Sequence, residues 1–156
     1  MEFNELIAGF AARYGVAGLT AGERGLVALG IDDLRIFVQH VPEAERLVVY
    51  VDLGAIPEAG AARFERTMLE ANCLFRGTSG ATLARHPETG GLFINRQESL
   101  RTLDVDGFCA LMEGFVDLSR TWKGLLAEYA AKGGAEEPVD AVRPPEGSDI
   151  GAFMQV

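Results

Sequence analysis

The strongest strand signal in the chain is Arg46-Leu-Val-Val-Tyr-Val-Asp-Leu53, a run dense in β-branched residues. Side chains alternate between the two faces of a strand, so one face of this run is wholly apolar: Leu47, Val49, Val51 and Leu53. Two further apolar runs, 26–31 and 35–41, come just before it. Because only short connections separate the three runs, they predict three sequential antiparallel strands.

Helical segments flank these strands on both sides. Apolar residues recur at three- and four-residue spacing over 3–14, 60–76 and 104–132, and Asp104 is placed to be the N-cap of the last helix. Two more runs, 81–86 and 92–97, surround a glycine-containing turn and predict a hairpin. The predicted fold class is therefore α+β, an α-β-β-β-α-β-β-α sandwich with a mostly antiparallel twisted sheet.

The 156 residues fit one folded domain, predicted over residues 1–132, followed by a tail over 133–156. Residues 133–149 carry five acids, one arginine and three prolines, a composition typical of an extended segment. The tail then becomes apolar at four positions: Ile150, Phe153, Met154 and Val156. An apolar stretch after a polar spacer indicates a segment that docks on a surface.

The charge balance argues against several classes of partner. The 14 basic and 23 acidic residues give a net charge of −9, which disfavours nucleic acid and anionic membrane surfaces. The first residues are acidic where a signal peptide is basic, and no apolar run approaches membrane-spanning length. Cys73 and Cys109 stand alone, which is typical of a reducing compartment. We therefore expect a cytoplasmic protein.

Residues that could carry chemistry do not form a recognisable set. His40 and His86 have no serine, cysteine or paired acid at a suggestive sequence distance. The acidic pair Asp32-Asp33 and the glycine-flanked Gly77–Gly80 are better explained as turns than as an acid–base pair or an anion cradle. No Cys/His cluster provides zinc ligands. The sequence predicts no enzyme activity, no metal and no cofactor.

Several short strings follow one another in a recognisable order over residues 3–131. They are Ile31-Asp32, Val49-Tyr-Val-Asp-Leu53-Gly54, Met68-Leu-Glu-Ala-Asn72, Gly80-Ala-Thr-Leu83, Gly91-Leu-Phe-Ile94, Leu103-Asp104, Phe115-Val116 and Trp122. Together with the element order, they resemble the class I type III secretion chaperones of the Tir-chaperone (CesT-like) family. The resemblance implies a homodimeric, non-enzymatic bacterial chaperone. Such a protein binds an N-terminal segment of a secreted effector or translocator, keeps it nonglobular and delivers it to the export apparatus.

The resemblance also implies a binding surface for that cargo. An exposed sheet edge can take an extended peptide as an extra strand, with apolar side chains in grooves beside it. We expect cargo contacts on the first helix and on the facing strands, at Phe3, Leu6, Ile7, Phe10, Leu29, Ile31, Ile36 and Val38. The pattern leaves open the simpler alternative, that these residues are core.

The helix predicted over 60–76 has an apolar stripe wider than contact with one sheet requires, which favours a second contact. The resemblance makes this helix the twofold interface, with the candidates Phe64, Met68, Ala71, Asn72 and Phe75. For the apolar positions of the tail, two hypotheses compete. They fold back onto a groove of their own dimer, or they dock on an export component such as the type III secretion ATPase.

One alternative function stays open from the residues themselves. A dimeric α+β domain could bind a peptide or a small ligand without any role in secretion. A small-ligand site would need convergent polar groups in a pocket, and the sequence shows no such set. Co-purification with a specific effector would separate this alternative from the chaperone.

Overall fold

The computed structural model describes residues 2–134, so almost all of the predicted tail lies outside the described residues. Three helices and five strands follow in the predicted order, which is confirmed. Their bounds are α1 Phe3–Tyr14, β1 Leu26–Ile31, β2 Leu34–Val41, β3 Arg46–Ala55, α2 Ala61–Asn72, β4 Thr82–Arg85, β5 Gly91–Ser99 and α3 Val105–Ala131.

The five strands form one antiparallel sheet in the order β1-β2-β3-β5-β4. The predicted alternation of β3 holds, since Leu47, Val49 and Val51 are fully buried. The register aligns Leu29 with Ile36, and Ile36 with Val51, so the apolar rows of neighbouring strands lie on the same face. This face, covered by the helices, holds the core.

The opposite face of the sheet carries no helix from residues 2–134. Its side chains are half-buried or exposed, and they include a stacked pair, Phe37 and Tyr50, whose ring centroids are 5.2 Å apart. Arg35 lies over the Phe37 ring at 5.2 Å from its centroid. One layer of helices on one sheet face is therefore the whole architecture of the described residues.

Two helix termini have residues suited to capping a helix, and the one at Asp104 was predicted. Gly15 ends α1 in the left-handed conformation, at φ 65°, which glycine adopts without a steric penalty. Asp104 caps α3, because its carboxylate accepts a hydrogen bond from the Gly107 amide at 2.8 Å. α3 then provides the long apolar surface on which α1, α2 and the sheet pack, with Trp122 fully buried at its centre.

α2 is shorter than the predicted helix over 60–76. It ends at Asn72, and the apolar residues beyond it leave the helix in a single tight turn. Leu74 and Phe75 both adopt positive φ, 54° and 55°, a conformation that costs energy for residues with a side chain. The apolar stripe therefore divides, with one part inside the core and another projecting from the turn.

Candidate functional site

A concave groove of about 540 Å³ lies beside the outer strand β1, between α1 and α3. We call it the edge groove. Its walls are mostly apolar, and its lining comprises Phe10, Tyr14, Val16, Leu19, Ala28, Leu29, Gly30, Ile31, Met112, Glu113, Val116, Asp117 and Arg120. A largely apolar concavity with a few polar groups is the usual form of a binding site.

The aromatic wall of the edge groove comes from the last turns of α1. Phe10 packs edge-on against Phe108 of α3, with the centroids 5.2 Å apart, so it is fixed in the groove floor. Tyr14 packs against Phe10, with the ring centroids 4.8 Å apart, and 46% of its surface is exposed. Four residues further along a helix fall on the same face, which is why these two rings line one wall.

Polar contacts hold the rim of the edge groove. The Tyr14 hydroxyl donates a hydrogen bond to Glu113, which raises the pKa of Tyr14 to about 12. Across the groove, Arg120 pairs with Asp32, and Lys123 Nζ lies 2.6 Å from the Asp33 carboxylate, whose pKa it lowers. These exposed pairs join the β1–β2 turn to α3 and add little stability.

β1 is an outer strand, and its free edge opens into the edge groove. Ile31 and Leu34 close a two-residue hairpin, so alternate residues of β1 direct their backbone groups towards β2. Ala28 and Gly30 therefore point their amide and carbonyl groups away from the sheet, and no backbone partner is found for them among residues 2–134. Such an edge is a template for one more strand.

A second concavity, about 420 Å³, flanks the same edge from the uncovered face of the sheet. It shares Ala28, Leu29 and Gly30 with the edge groove and adds Asp32, Asp33, Leu34 and Arg35. A strand added beside β1 would place alternate side chains in the two concavities. The edge groove would receive apolar side chains, and the second concavity would place the alternate side chains beside charged groups.

The eight residues predicted to contact cargo divide into two groups. Phe10, Leu29 and Ile31 line the edge groove. Phe10 and Leu29 also belong to the buried core, and the other five are core without lining the groove: Phe3, Leu6, Ile7, Ile36 and Val38. Phe3 also stacks on His40 at 4.7 Å between ring centroids. Four further residues of the groove lining were not predicted: Tyr14, Val16, Met112 and Val116. Tyr14 alone had a signal in the sequence, because it lies one helical turn after Phe10.

The residues predicted for the twofold interface lie in different environments. Phe64, Met68 and Ala71 are buried within the chain, because α2 packs this side on α3 and the sheet. Asn72 faces β4, where its amide group donates to the carbonyl of Leu83 and accepts from its amide. The exposed apolar residues are Leu69 at 70%, Leu74 at 70% and Phe75 at 55%. We call these three the α2 outer surface.

Within residues 2–134, no three His, Cys, Asp or Glu side chains converge as a metal site would require. His86 accepts hydrogen bonds from the turn amides of Glu88 and Thr89, both at 3.3 Å, which is a structural role. None of the helices in this part of the chain is both long and apolar enough to cross a bilayer. The apolar tail positions Ile150, Phe153, Met154 and Val156 lie outside the described residues.

The part of the chain that forms the edge groove lies within a match to a known sequence family. A sequence model of the Tir chaperone protein (CesT) family matches residues 5–123, which is most of the chain. The chain belongs to the Tir chaperone protein (CesT) family. The resemblance seen in the sequence is thereby confirmed. No curated protein sequence matches the chain at a significant level.

Solved structures of this family's fold include complexes with partner proteins. A chain of the ExsC–ExsE complex superposes with a TM-score of 0.70 at 26% identity, covering 79% of this chain and 92% of that one. A chain of the HopA1–SchA chaperone–effector complex gives 0.67 at 18% identity, covering 78% and 93%. The Yersinia pestis type III secretion chaperone SycH, in complex with a fragment of YscM2, gives 0.63 at 20%, covering 77% and 98%.

Membership of this CesT-family fold makes the chain a type III secretion chaperone. The α+β fold predicted from sequence is also the fold of these structures. No comparison supports the alternative of a peptide- or ligand-binding domain unrelated to secretion.

Proposed function

We propose that this CesT-family chaperone binds a nonglobular segment of a secreted effector or translocator as an added strand on β1. The observation that carries the proposal is the free backbone of Ala28 and Gly30, which opens beside an apolar groove of about 540 Å³. Backbone hydrogen bonds to this edge do not depend on the sequence of the cargo, and apolar cargo side chains in the groove supply selectivity. Such a site holds cargo extended and competent for export.

The relatives support this assignment. The matching structures include a chaperone–effector complex and a secretion chaperone holding a protein fragment. We further propose that the protein acts in the bacterial cytoplasm, catalyses no reaction and uses no cofactor. In this proposal it passes its cargo to the export apparatus, where the type III secretion ATPase receives it.

A proline at Gly30 tests the strand-addition proposal. The Gly30 amide points away from β2, so Gly30→Pro removes a donor on the free edge while leaving the β1–β2 hydrogen bonds in place. We expect binding of peptides from the N-terminal segments of the bacterium's secreted effectors to weaken at least about tenfold, or about 1.4 kcal/mol. Fluorescence anisotropy on the labelled peptides measures this loss.

Gly30→Ala is the matched control. A Cβ at Gly30 has open space around it, and alanine keeps the amide donor, so peptide affinity should equal that of the unchanged protein. Circular dichroism must show that both variants fold. Unweakened peptide binding by a folded Gly30→Pro variant would contradict the proposal.

We also propose that the α2 outer surface forms a homodimer. Leu69, Leu74 and Phe75 are more than half exposed, and two of them stand on a left-handed backbone that directs them outwards. Large exposed apolar side chains in one patch mark protein interfaces. A dimer would have a mass of about 33 kDa, twice the 16.7 kDa chain.

A charge on this surface tests the dimer. Phe75→Glu places a carboxylate in the proposed contact. We expect the dimer to weaken by about 2 kcal/mol or more, which raises its dissociation constant roughly thirtyfold. Light scattering coupled to gel filtration gives the mass. Arg66→Glu, exposed on the same helix, controls for added negative charge. A monomeric unchanged protein at micromolar concentration, or a dimeric Phe75→Glu variant, would contradict the proposal.

A further inference from the structure

We propose that residues 150–156 of this chain dock on the free edge of β1 as an added strand, with alternate side chains in the edge groove. The contact is an autoinhibitory one: the tail occupies the edge until cargo displaces it. Competition with cargo rests on the proposed function, but the docking itself rests only on the groove, the edge and the tail sequence.

The tail sequence has the period that an added strand needs. In an extended strand every second side chain shares a face, so Ile150, Ala152, Met154 and Val156 would lie together. All four are apolar, whereas the other face would carry Gly151, Phe153 and Gln155. The matching surface is the apolar wall made by Phe10, Leu29, Ile31, Met112 and Val116.

The β1 edge offers an added strand more free backbone than the β4 edge does. At the other edge, the Asn72 side chain already pairs with both backbone groups of Leu83, at 3.0 and 2.9 Å. At β1, Ala28 and Gly30 direct their backbone groups into the groove. The α2 outer surface is a convex patch of side chains without a free strand edge, so it offers a strand no backbone partner.

The chain between the fold and residues 150–156 is long enough for those residues to reach the edge groove. Gly134 lies against Gly60, where a Cβ on Gly60 would be 2.5 Å from the Gly134 carbonyl oxygen. The groove residue Val116 precedes Ala131, the last residue of α3, by 15 positions, about 22 Å of helix. The 16 steps from Gly134 to Ile150 span up to about 50 Å when extended. The tail therefore reaches the groove with length to spare.

Hydrogen exchange in the full chain without cargo tests the docking. Exchange of the Ala28 and Gly30 amides, followed by NMR, should be slowed by a docked strand. Met154→Asp puts a charge on the groove-facing side of the tail, and we expect exchange at both amides to quicken at least about tenfold. Gln155→Asp adds the same charge on the other side and should leave the rates unchanged.

Three results would overturn the proposal. Equal rates in the unchanged protein and Met154→Asp would show that nothing docks. Protection that falls on dilution would show docking between copies instead of within the chain. Lost protection with unchanged affinity for the effector peptides would exclude competition. If Met154→Asp quickens exchange while Gly30→Pro still binds those peptides, the docking stands and the proposed cargo site fails.

Discussion

The two edges of the sheet differ although both are strands of the same antiparallel sheet. At β4, the Asn72 side chain donates to the Leu83 carbonyl and accepts from its amide. At β1, the Gly22 amide reaches the Leu26 carbonyl at 2.9 Å, but Ala28 and Gly30 meet no backbone partner among residues 2–134. The middle of β4 is therefore paired by a side chain, whereas the middle of β1 is not paired.

The difference shows that one side chain can occupy the outward backbone groups of a strand. A primary amide presents a donor and an acceptor, the same groups that a neighbouring strand would offer. Asn72, on the last turn of α2, takes that place at Leu83 of β4. Edges left unpaired invite aggregation, so pairing at β4 would favour the proposed strand addition at β1.

The largest expected effect comes from detaching the helix that closes β4. Phe64 is fully buried on α2, between Trp122 at 6.2 Å and Tyr129 at 5.2 Å between ring centroids. Phe64→Ala should lower the free energy of unfolding by about 3–5 kcal/mol, because a cavity replaces the ring. Urea unfolding followed by Trp122 fluorescence measures the loss.

Arg66→Ala is the control for this change, since Arg66 lies on the same helix in an exposed ion pair with Glu70. We expect it to change the free energy of unfolding by no more than about 0.5 kcal/mol. Similar effects of the two substitutions would show that α2 is not anchored through Phe64.

A smaller change reopens the β4 edge without emptying the core. Asn72→Ala removes both hydrogen bonds to Leu83 and should cost about 1–3 kcal/mol of unfolding free energy. It should also quicken hydrogen exchange of the Leu83 amide, making β4 resemble β1. Unchanged exchange at Leu83 would mean that the two edges do not differ in the way described.

The smallest effect concerns the rim of the open edge. Because Tyr14 donates to Glu113, the pKa of Tyr14 is raised to about 12 from an ordinary value near 10. The stabilisation from this bond is present below pH 10 and is lost as the pH rises from 10 through 12. At pH 11, the ring-carbon NMR shift of Tyr14 should report a protonated phenol, and a largely ionised one in Glu113→Ala. A phenol already ionised at pH 11 in the unchanged protein would show that the contact does not form.

Much of the fold could be predicted because its signals are local. The period of two in β3, the spacing in α1, and the cap at Asp104 each depend on residues close together in sequence. The prediction for α2 was too long by a turn, because Cys73, Leu74 and Phe75 are apolar and carry no residue that ends a helix. The tight turn follows from the contact of Asn72 with β4, which is not visible in the sequence.

The candidate site was less predictable than the fold. An apolar stripe does not say which of its members line a groove, so Leu6 and Phe10 are equivalent in the sequence. In the structure both are buried, but only Phe10 lines the edge groove. The α3 wall, at Met112 and Val116, was not among the predicted cargo contacts.

The order of the elements, the alternation of the strand faces and the family are predictable from the sequence, because they depend on patterns along the chain. Which strand edge keeps free backbone groups becomes visible in the tertiary structure, because it depends on contacts between separate elements. Asn72 of α2 bonds to Leu83 of β4, whereas Ala28 and Gly30 of β1 have no backbone partner among residues 2–134.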